Sequence, residues 1–367
     1  MGRILWTKPE KPDNGSIQSM SNNRTDRSSP SNDLSGLGEA GIIEWIRLNG
    51  PTREDPRLLQ GIGDDCAVLK YTDTDDLLVT IDTMVEGTHF TEQTLPPDAL
   101  GWKALATNIS DVAAMGGTPK TAFLSLGLSR KTSKEFIEAF LSGLNDLAQK
   151  SDVVLAGGDT IESRIGCVIT LTLIGECPHG RAVYRHGARL QDDVWVTGYP
   201  GNSAGGLALL KEKGLSRSHV ATSLVTAHQR PDPRLDLGKS LARSNLVHAM
   251  IDLSDGISTD LWHVCRQSRV GATIEAATIP ISEDLKGLGD RVGTSPLVWA
   301  LHGGEDYELL FTASKSHRNE IEMLATSVSG IPIHRIGKIV EEAGVSLVTE
   351  EGMIELAPGG YSHFSGG

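Results

Sequence analysis

The residues with chemical potential in this chain are carboxylates, and they recur beside glycines. Gly61-Ile62-Gly63-Asp64-Asp65 comes first, and Thr80-Ile81-Asp82 closes an expected strand. Asn108-Ile109-Ser110-Asp111 falls on an expected helix, where a three-residue spacing puts Asn108 and Asp111 on one face. Gly157-Gly158-Asp159, Ile251-Asp252-Leu253-Ser254-Asp255-Gly256 and Gly303-Gly304-Glu305-Asp306 complete the series. A single Gly–Asp pair is more often a turn than a ligand. Six such segments, most of them at the ends of expected elements, argue for convergence on one site. Carboxylates gathered there repel one another unless cations sit among them. Hard oxygen donors select Mg²⁺, Mn²⁺ or Ca²⁺, and glycines let backbone N–H groups approach phosphate. The combination is that of metal-assisted phosphate chemistry.

Other residues carry two readings each. His89 follows Glu86-Gly87-Thr88, directly after the Asp82 strand, as a structural imidazole or one beside the site. Arg185, in the basic run Arg181, Arg185 and Arg189, is a phosphate clamp or part of a solvated strand edge. Lys103, Thr107 and Asp111 recur every four residues on one helix face, although Lys103 also reads as an exposed lysine. Ser254 bonds a phosphate oxygen or caps a turn. Tyr361, in Gly359-Gly360-Tyr361-Ser362-His363-Phe364, belongs to a frayed tail or stacks on a ring. There is no GxxxxGK[ST] segment, which excludes a P-loop enzyme, and no EF-hand loop, HExxH or GxSxG. Gly201–Gly206 has no lysine and reads as a helix-opening turn.

Positioning these residues requires elements, and the hydrophobic pattern supplies them. Ile42, Ile43 and Ile46 mark a short amphipathic helix, and Leu77–Ile81 a buried strand. Pro96-Pro97-Asp98 opens a helix to about Met115. A strand over Thr121–Leu128 follows, then a helix over Thr132–Gln149 capped by Thr132 or Ser133. Val153–Ala156 is expected as a strand ending in Gly157-Gly158-Asp159, and Cys167–Gly175 as an alternating strand. Beyond about Gly187 the pattern gives a strand at Val194–Thr197, a glycine-rich turn at Gly198–Gly206 feeding a helix over Leu207–Lys213, and a helix over Leu235–Met250. A helix over Thr259–Ser268 and strands near Ala272–Glu275 and Glu308–Thr312 come next, then a helix over Ser316–Ser327 and a strand over Ile333–Ile339. Strands and helices mix without the regular beat of a doubly wound sheet, so the fold class is α+β. The expected division is a disordered extension over residues 1–36, a unit over 37–185 and a unit over 186–367.

Composition limits the function. In the extension, Ser, Asn, Pro and Gly supply 17 of 36 residues, too polar a mix for a packed core; Met20 within it is a candidate start. The 367 residues suit about two domains, and no apolar run reaches the roughly 18–20 residues of a membrane span. A net charge of −13 and 5% aromatics argue against nucleic acid and anionic membranes as partners. An anionic ligand remains compatible if a divalent metal mediates. Cys66, Cys167, Cys177 and Cys265 form no CxxC pair and read as reduced, buried thiols. No secretory h-region follows Arg3, so the cytoplasm is the expected compartment.

In order and spacing, GIGDDCAV, TIDTMVEGTHF, WKALATNISDVAAMGG, AGGDT, IDLSDGISTDL, GGEDYELLFT and the terminal GGYSHF resemble the thiamine-monophosphate kinase family, over roughly residues 38–367. The resemblance implies the two-domain aminoimidazole ribonucleotide synthetase-like fold. Its N-terminal domain pairs into a dimeric β-barrel across a homodimer, and its C-terminal domain is of α/β type. It implies ATP as co-substrate, thiamine monophosphate as acceptor and several Mg²⁺ ions. Asp65, Thr80, Ile81 through its backbone, Asp82, Asp111, Asp159, Asp252 and Asp255 would hold metal. Of these, Asp111, Asp159 and Asp255 would be catalytic. Gly158, Asp159, Arg185 and Ser254 would contact ATP, and His89, Glu305 and Tyr361 the acceptor. Residues 1–36 lie outside the family core. Within the same superfamily, selenophosphate synthetases carry a reactive Cys or selenocysteine near the start, whereas no cysteine precedes Cys66 here. The hydrogenase-maturation enzyme ends in a cysteine tail, whereas this chain ends Phe364-Ser365-Gly366-Gly367. Two alternatives stay open: another ATP-dependent enzyme of that superfamily, such as an aminoimidazole ribonucleotide synthetase, and a non-catalytic metal- or nucleotide-binding protein.

Overall fold

The computed structural model describes residues 38–51, 55–211, 219–328 and 330–361. The expectations for residues 1–36 and Met20, and for Ser362, His363 and Phe364, lie outside the described residues.

The first unit begins with α1 (Gly38–Asn49), β1 (Leu58–Gln60), β2 (Ala67–Lys70), β3 (Asp75–Val85) and α2 (Pro97–Ala114). It continues with β4 (Thr118–Leu128), α3 (Lys134–Lys150), β5 (Val154–Glu162) and β6 (Val168–Pro178). Its sheet runs β1-β2-β3-β6-β4-β5, antiparallel at every pairing except β4 with β5. Pro97 starts α2, where its missing N–H costs nothing and its fixed φ suits the helix. Ser133 caps α3, its Oγ accepting from the Phe136 N–H at 3.1 Å. The two helices pack tightly because Gly101 and Gly143 face each other's backbone. A Cβ at Gly101 would lie 1.9 Å from the Phe140 carbonyl oxygen, and one at Gly143 1.7 Å from that of Asp98. Together α2 and α3 cover one face of the sheet, over a core that includes Leu78, Leu105, Ile109, Leu144 and Leu171.

Strand β3 is not buried throughout as its composition implied. Leu78 and Thr80 face the core, whereas Ile81 is 64% exposed on the other face. Period-two alternation separates them, and among the described residues Ile81, Phe123 and Ile161 remain exposed on that outer face. Phe123 and Ile161 are exposed on β4 and β5, and every residue of β5 is exposed. Two expected strand ends are also interior positions: β3 runs past Asp82 to Val85, and β5 runs through Gly157-Gly158-Asp159 to Glu162.

The second unit comprises β7 (Asp192–Thr197), α4 (Asn202–Lys211), α5 (His219–Gln229), α6 (Leu235–Ser244), β8 (Val247–Asp252) and α7 (Ile257–Ser268). After it come β9 (Gly271–Glu275), α8 (Glu283–Val292), α9 (Pro296–His302), β10 (Leu309–Ser314), α10 (Arg318–Val328), β11 (Ile333–Val340), β12 (Gly344–Thr349) and β13 (Gly352–Glu355). Its sheet runs β13-β12-β9-β11-β7-β10-β8, with β9 and β12 the parallel pair. Helices cover both faces, so β7 is buried at every residue. On one face α7 and α9 pack with Ile251 and Leu310; on the other α6 and α10 pack with Trp195 and Phe311.

Two helix expectations are corrected here. The helix expected over Leu235–Met250 stops at Ser244, because Asn245 adopts a left-handed conformation (φ 58°), and Val247–Asp252 is a strand. Helix α4 opens at Asn202, inside the expected turn, where the Asp306 carboxylate accepts from the N–H groups of Gly201 (2.6 Å) and Ser203 (3.0 Å). Mixed pairing in both sheets makes the fold α+β. Among the described residues no helix is long and apolar enough to cross a membrane.

Candidate active site

Helix α2 lies between the two sheets' contributions to one cavity of about 240 Å³. β3 lines it with Thr80, Ile81 and Asp82, and α2 with Thr107 and Asp111. The β1–β2 loop adds Asp65, the segment after β6 adds Arg185, and the end of β8 and the turn beyond it add Asp252 and Ser254. Carboxylate oxygens of Asp65, Asp111 and Asp252 lie within 4.8 Å of one another. Two of these come from the first unit and one from the second.

Neighbouring groups hold each carboxylate in place. The Thr80 hydroxyl donates to Asp111 Oδ2 at 2.5 Å, and the Ser110 hydroxyl to Asp252 Oδ2 at 2.6 Å. Arg185 Nε donates to Asp65 Oδ1 at 2.9 Å, and a terminal nitrogen of the same guanidinium reaches that oxygen too. The backbone N–H of Arg185 lies 3.2 Å from Asp64 Oδ1. Asp65 Oδ2 is buried with no hydrogen-bond partner. Burial raises the Asp65 carboxyl above its ordinary range against the opposing pull of Arg185. Burial, then the charges of Asp82, Asp252 and Asp65, hold Asp111 well above it. Burial and Asp65 push Asp252 up to about 8, and burial pushes Asp82 up to about 6. A carboxylate trio that resists ionisation, with one oxygen left unpaired, has the donor atoms to hold a cation. The all-oxygen donor set fits Mg²⁺.

The remaining expected residues are not among those that line this cavity. Asp255 follows Ser254, its N–H donating to Asp260 Oδ2 at 3.2 Å. Gly158 and Asp159 sit on the exposed edge strand β5; Gly158 has φ 150°, and a Cβ there would meet the Leu124 carbonyl oxygen at 1.7 Å. His89 lies in the turn after β3, with its Nδ1 accepting from the Val85 N–H at 3.0 Å. Glu305 stands in the loop before β10 with left-handed backbone (φ 64°), its N–H donating to the Ser254 carbonyl at 2.7 Å. Tyr361 is exposed at the end of the described chain. Gly359 and Gly360 dock the segment before it on α7, their N–H groups donating to Ser258 Oγ and Thr259 Oγ1 at 3.3 and 3.1 Å.

Sequence reasoning missed or misjudged four residues. Tyr307, buried with φ 53°, lines the cavity, and its place in GGEDYELLFT was the available signal. Lys103 is wholly buried rather than exposed, and pairs with Glu305 at 3.0 Å. Ser110 orients Asp252 across the junction of the units. Asn108 is fully buried inside α2, donating to the Ala104 carbonyl at 3.3 Å, and takes no part in the cavity. Cys66, beside Asp65, is buried, and burial plus nearby carboxylates hold its thiol well above the usual range, so it is no nucleophile.

Both units match the AIR synthase related proteins. Their N-terminal domain model matches residues 63–177 and their C-terminal domain model residues 192–350. The thiamine-monophosphate kinase of Escherichia coli strain K12 is 39% identical over 308 residues, covering 83% of this chain and 92% of that one. That of Bacillus subtilis strain 168 is 37% identical over 308 residues, covering 83% and 93%. A solved structure described as AaThiL complexed with AMPPCP and TMP is 34% identical, with a TM-score of 0.80 over 91% of this chain and 100% of that one. The chain belongs to the thiamine-monophosphate kinase family.

Proposed function

We propose that this protein transfers the γ-phosphoryl group of ATP to the phosphate of thiamine monophosphate, giving ADP and thiamine diphosphate. The observation that carries the reading is the trio Asp65, Asp111 and Asp252, gathered from both units with a buried oxygen unpaired. The relative bound to AMPPCP and TMP supports the choice of substrates.

The acceptor phosphate is largely dianionic near neutral pH, so it is nucleophilic without a general base. One of its oxygens attacks the γ-phosphorus in line, and the bond to the β–γ bridging oxygen breaks as ADP leaves. The obstacle is repulsion between two polyanions. Asp65, Thr80, Ile81 through its carbonyl, Asp82, Asp111, Asp159, Asp252 and Asp255 are the residues we assign to hold Mg²⁺, with Asp111, Asp159 and Asp255 nearest the chemistry. Mg²⁺ supplies charge neutralisation of the phosphates when bound. Arg185, Ser254, Gly158 and Asp159 are assigned to ATP. His89, Glu305 and Tyr361 are assigned to thiamine monophosphate. The Arg185–Asp65 contact then exchanges for phosphate contacts as ATP enters.

We further infer a homodimer in which a second copy covers the outer face of the first sheet. Ile81, Phe123 and Ile161 are large apolar side chains exposed on that one face, which supports its burial against another chain. The division between units falls near residue 185, and the compartment is the cytoplasm. ADP release, followed with thiamine monophosphate, with formylglycinamidine ribonucleotide and with no acceptor, tests the reading. Release that depends on thiamine monophosphate alone supports it; release with the ribonucleotide, or with neither, refutes it.

A further inference from the structure

Lys103 is the most deeply buried cation among the described residues, with its side chain 0% exposed, on the face of α2 that also bears Thr107 and Asp111. Burying an ammonium is costly, and burial pulls its proton affinity down. Its ion-pair partner is Glu305 Oε2 at 3.0 Å, a close electrostatic contact rather than an aligned hydrogen bond. His228 Nδ1 approaches the same oxygen at 3.6 Å and Ser203 Oγ at 3.1 Å. Burial holds the His228 imidazole neutral, down to about 2, so Lys103 is the charge that balances Glu305 from the protein side. Glu305 keeps 30% of its side chain exposed and is held in a left-handed backbone conformation by the loop around Ser254 and Tyr307.

The contact crosses the molecule. Lys103 belongs to the first unit and Glu305 to the second, and the same helix face carries Asp111 into the carboxylate trio. Eight residues at 1.5 Å each separate Lys103 from Asp111 by about 12 Å along the axis. One helix thus carries both the lysine that pairs with a partly exposed carboxylate and an aspartate of the trio. A carboxylate set apart from the trio suits a phosphate ester whose positively charged ring lies away from its phosphate. Resting on the proposed function, we infer that Lys103 is a positioning residue that fixes the Glu305 carboxylate to recognise the cationic ring system of the acceptor.

The test compares wild-type protein with Lys103→Met, Glu305→Gln and the double variant, measuring ADP release at varied thiamine monophosphate and varied ATP. Lys103→Met should raise KM for thiamine monophosphate roughly 10- to 100-fold, the range for disturbing a contact to a charged group, and leave KM for ATP within about twofold. In the Glu305→Gln background the lysine substitution should add nothing to KM, because Lys103 acts through Glu305. Unchanged KM for thiamine monophosphate in folded Lys103→Met overturns the inference, as do additive effects in the cycle or an equal loss for ATP. Should Lys103→Met fail to fold, Lys103→Arg keeps the charge but displaces it; an unchanged acceptor KM there overturns the inference and a raised one supports it. A wild-type protein inactive with thiamine monophosphate overturns the proposed function and this inference together. An active wild-type protein with an indifferent variant overturns the inference alone.

Discussion

Asp111→Asn should stabilise the protein without metal and disable it with metal, and the trio's geometry explains both signs. Oxygens of Asp65, Asp111 and Asp252 lie within 4.8 Å of one another. At an effective dielectric of 20, two full charges at that distance repel by about 3.5 kcal/mol. Three ionised carboxylates would therefore carry about 10 kcal/mol of mutual repulsion, which adds to burial, the larger cause, in holding Asp252 up to about 8 and Asp111 well above its usual range. Asparagine matches aspartate in size, and its side-chain oxygen can still accept from Thr80. It removes Asp111 from two of the three repulsive pairs. Protonation already relieves part of this, so the gain falls below the two-pair limit of about 7 kcal/mol. In chelator at pH 8 the variant should melt several degrees above wild type. In Mg²⁺ the order should reverse, because ligand binding stabilises in proportion to affinity and one ligand is gone. Turnover at limiting Mg²⁺ should fall by roughly two decades or more, as for other groups that stabilise charge. Thermal melts with and without Mg²⁺, alongside ADP release, read all three quantities. A variant that melts lower in chelator, yet keeps the full Mg²⁺ increment, would show that the trio is structural and the reasoning wrong.

Asp306 predicts a pH dependence apart from the trio. Burial holds its carboxyl up to about 7, whereas an unfolded aspartate titrates near ~3.9. Between those values the folded chain keeps a proton that the unfolded chain has lost, so this contribution to stability falls as pH rises, by up to about 1.4 kcal/mol per unit. Asp306→Asn lacks that slope, so urea unfolding should show the variant gaining on wild type from pH 5 to pH 7; a constant gap contradicts the assignment. Phe123→Lys should convert a dimer to a monomer in light scattering by placing a charge on the uncovered face of the first sheet. A variant that keeps the dimer mass would show that this face is not the interface. Incubation with γ-labelled ATP and Mg²⁺ without acceptor should leave the protein unlabelled, since the acceptor phosphate needs no side-chain nucleophile; label that chases into thiamine diphosphate would establish ping-pong chemistry.

The site was more legible than the elements around it. Carboxylates beside glycines are a local pattern, and the pattern named Asp65, Asp111 and Asp252 before their convergence was visible. Element boundaries were harder because tertiary contacts decide them. Nothing in the apolar spacing of Leu235–Met250 distinguishes one long helix from a helix and a strand; Asn245 in a left-handed turn does, and asparagine is only one of several residues that tolerate it. Lys103 failed for a different reason. A lysine on a helix is ordinarily solvated, and only the approach of Glu305, about 200 residues on in sequence, makes a buried one tolerable. The same distance hides the Ser110–Asp252 bond. The exposed face of β3 could be read as half-buried from alternation, but a run of Leu77, Leu78, Val79 and Ile81 looks buried on both sides.

The trio also bears on how the two units stay together. Asp65 and Asp111 belong to the first and Asp252 to the second, so a cation held as proposed would bridge the junction. Without one, ionising these buried carboxylates sets like charges from the two units against each other, a push that their raised proton affinity and Arg185 reduce. Other contacts oppose that push: Trp102 Nε1 donates to the Pro231 carbonyl at 2.7 Å, Arg230 pairs with Asp98 at 2.7 Å, and Lys150 with Asp232 at 2.5 Å. These pairs are exposed or half-buried and individually weak. The buried Lys103–Glu305 pair is the one ionic link among these shielded from water on its lysine side. A chain with a net charge of −13 thus gathers acids where its halves meet, and leaves the balancing charge to be carried in with its substrates. On the proposed function, Mg²⁺ bound with the nucleotide would supply that balancing charge at the junction.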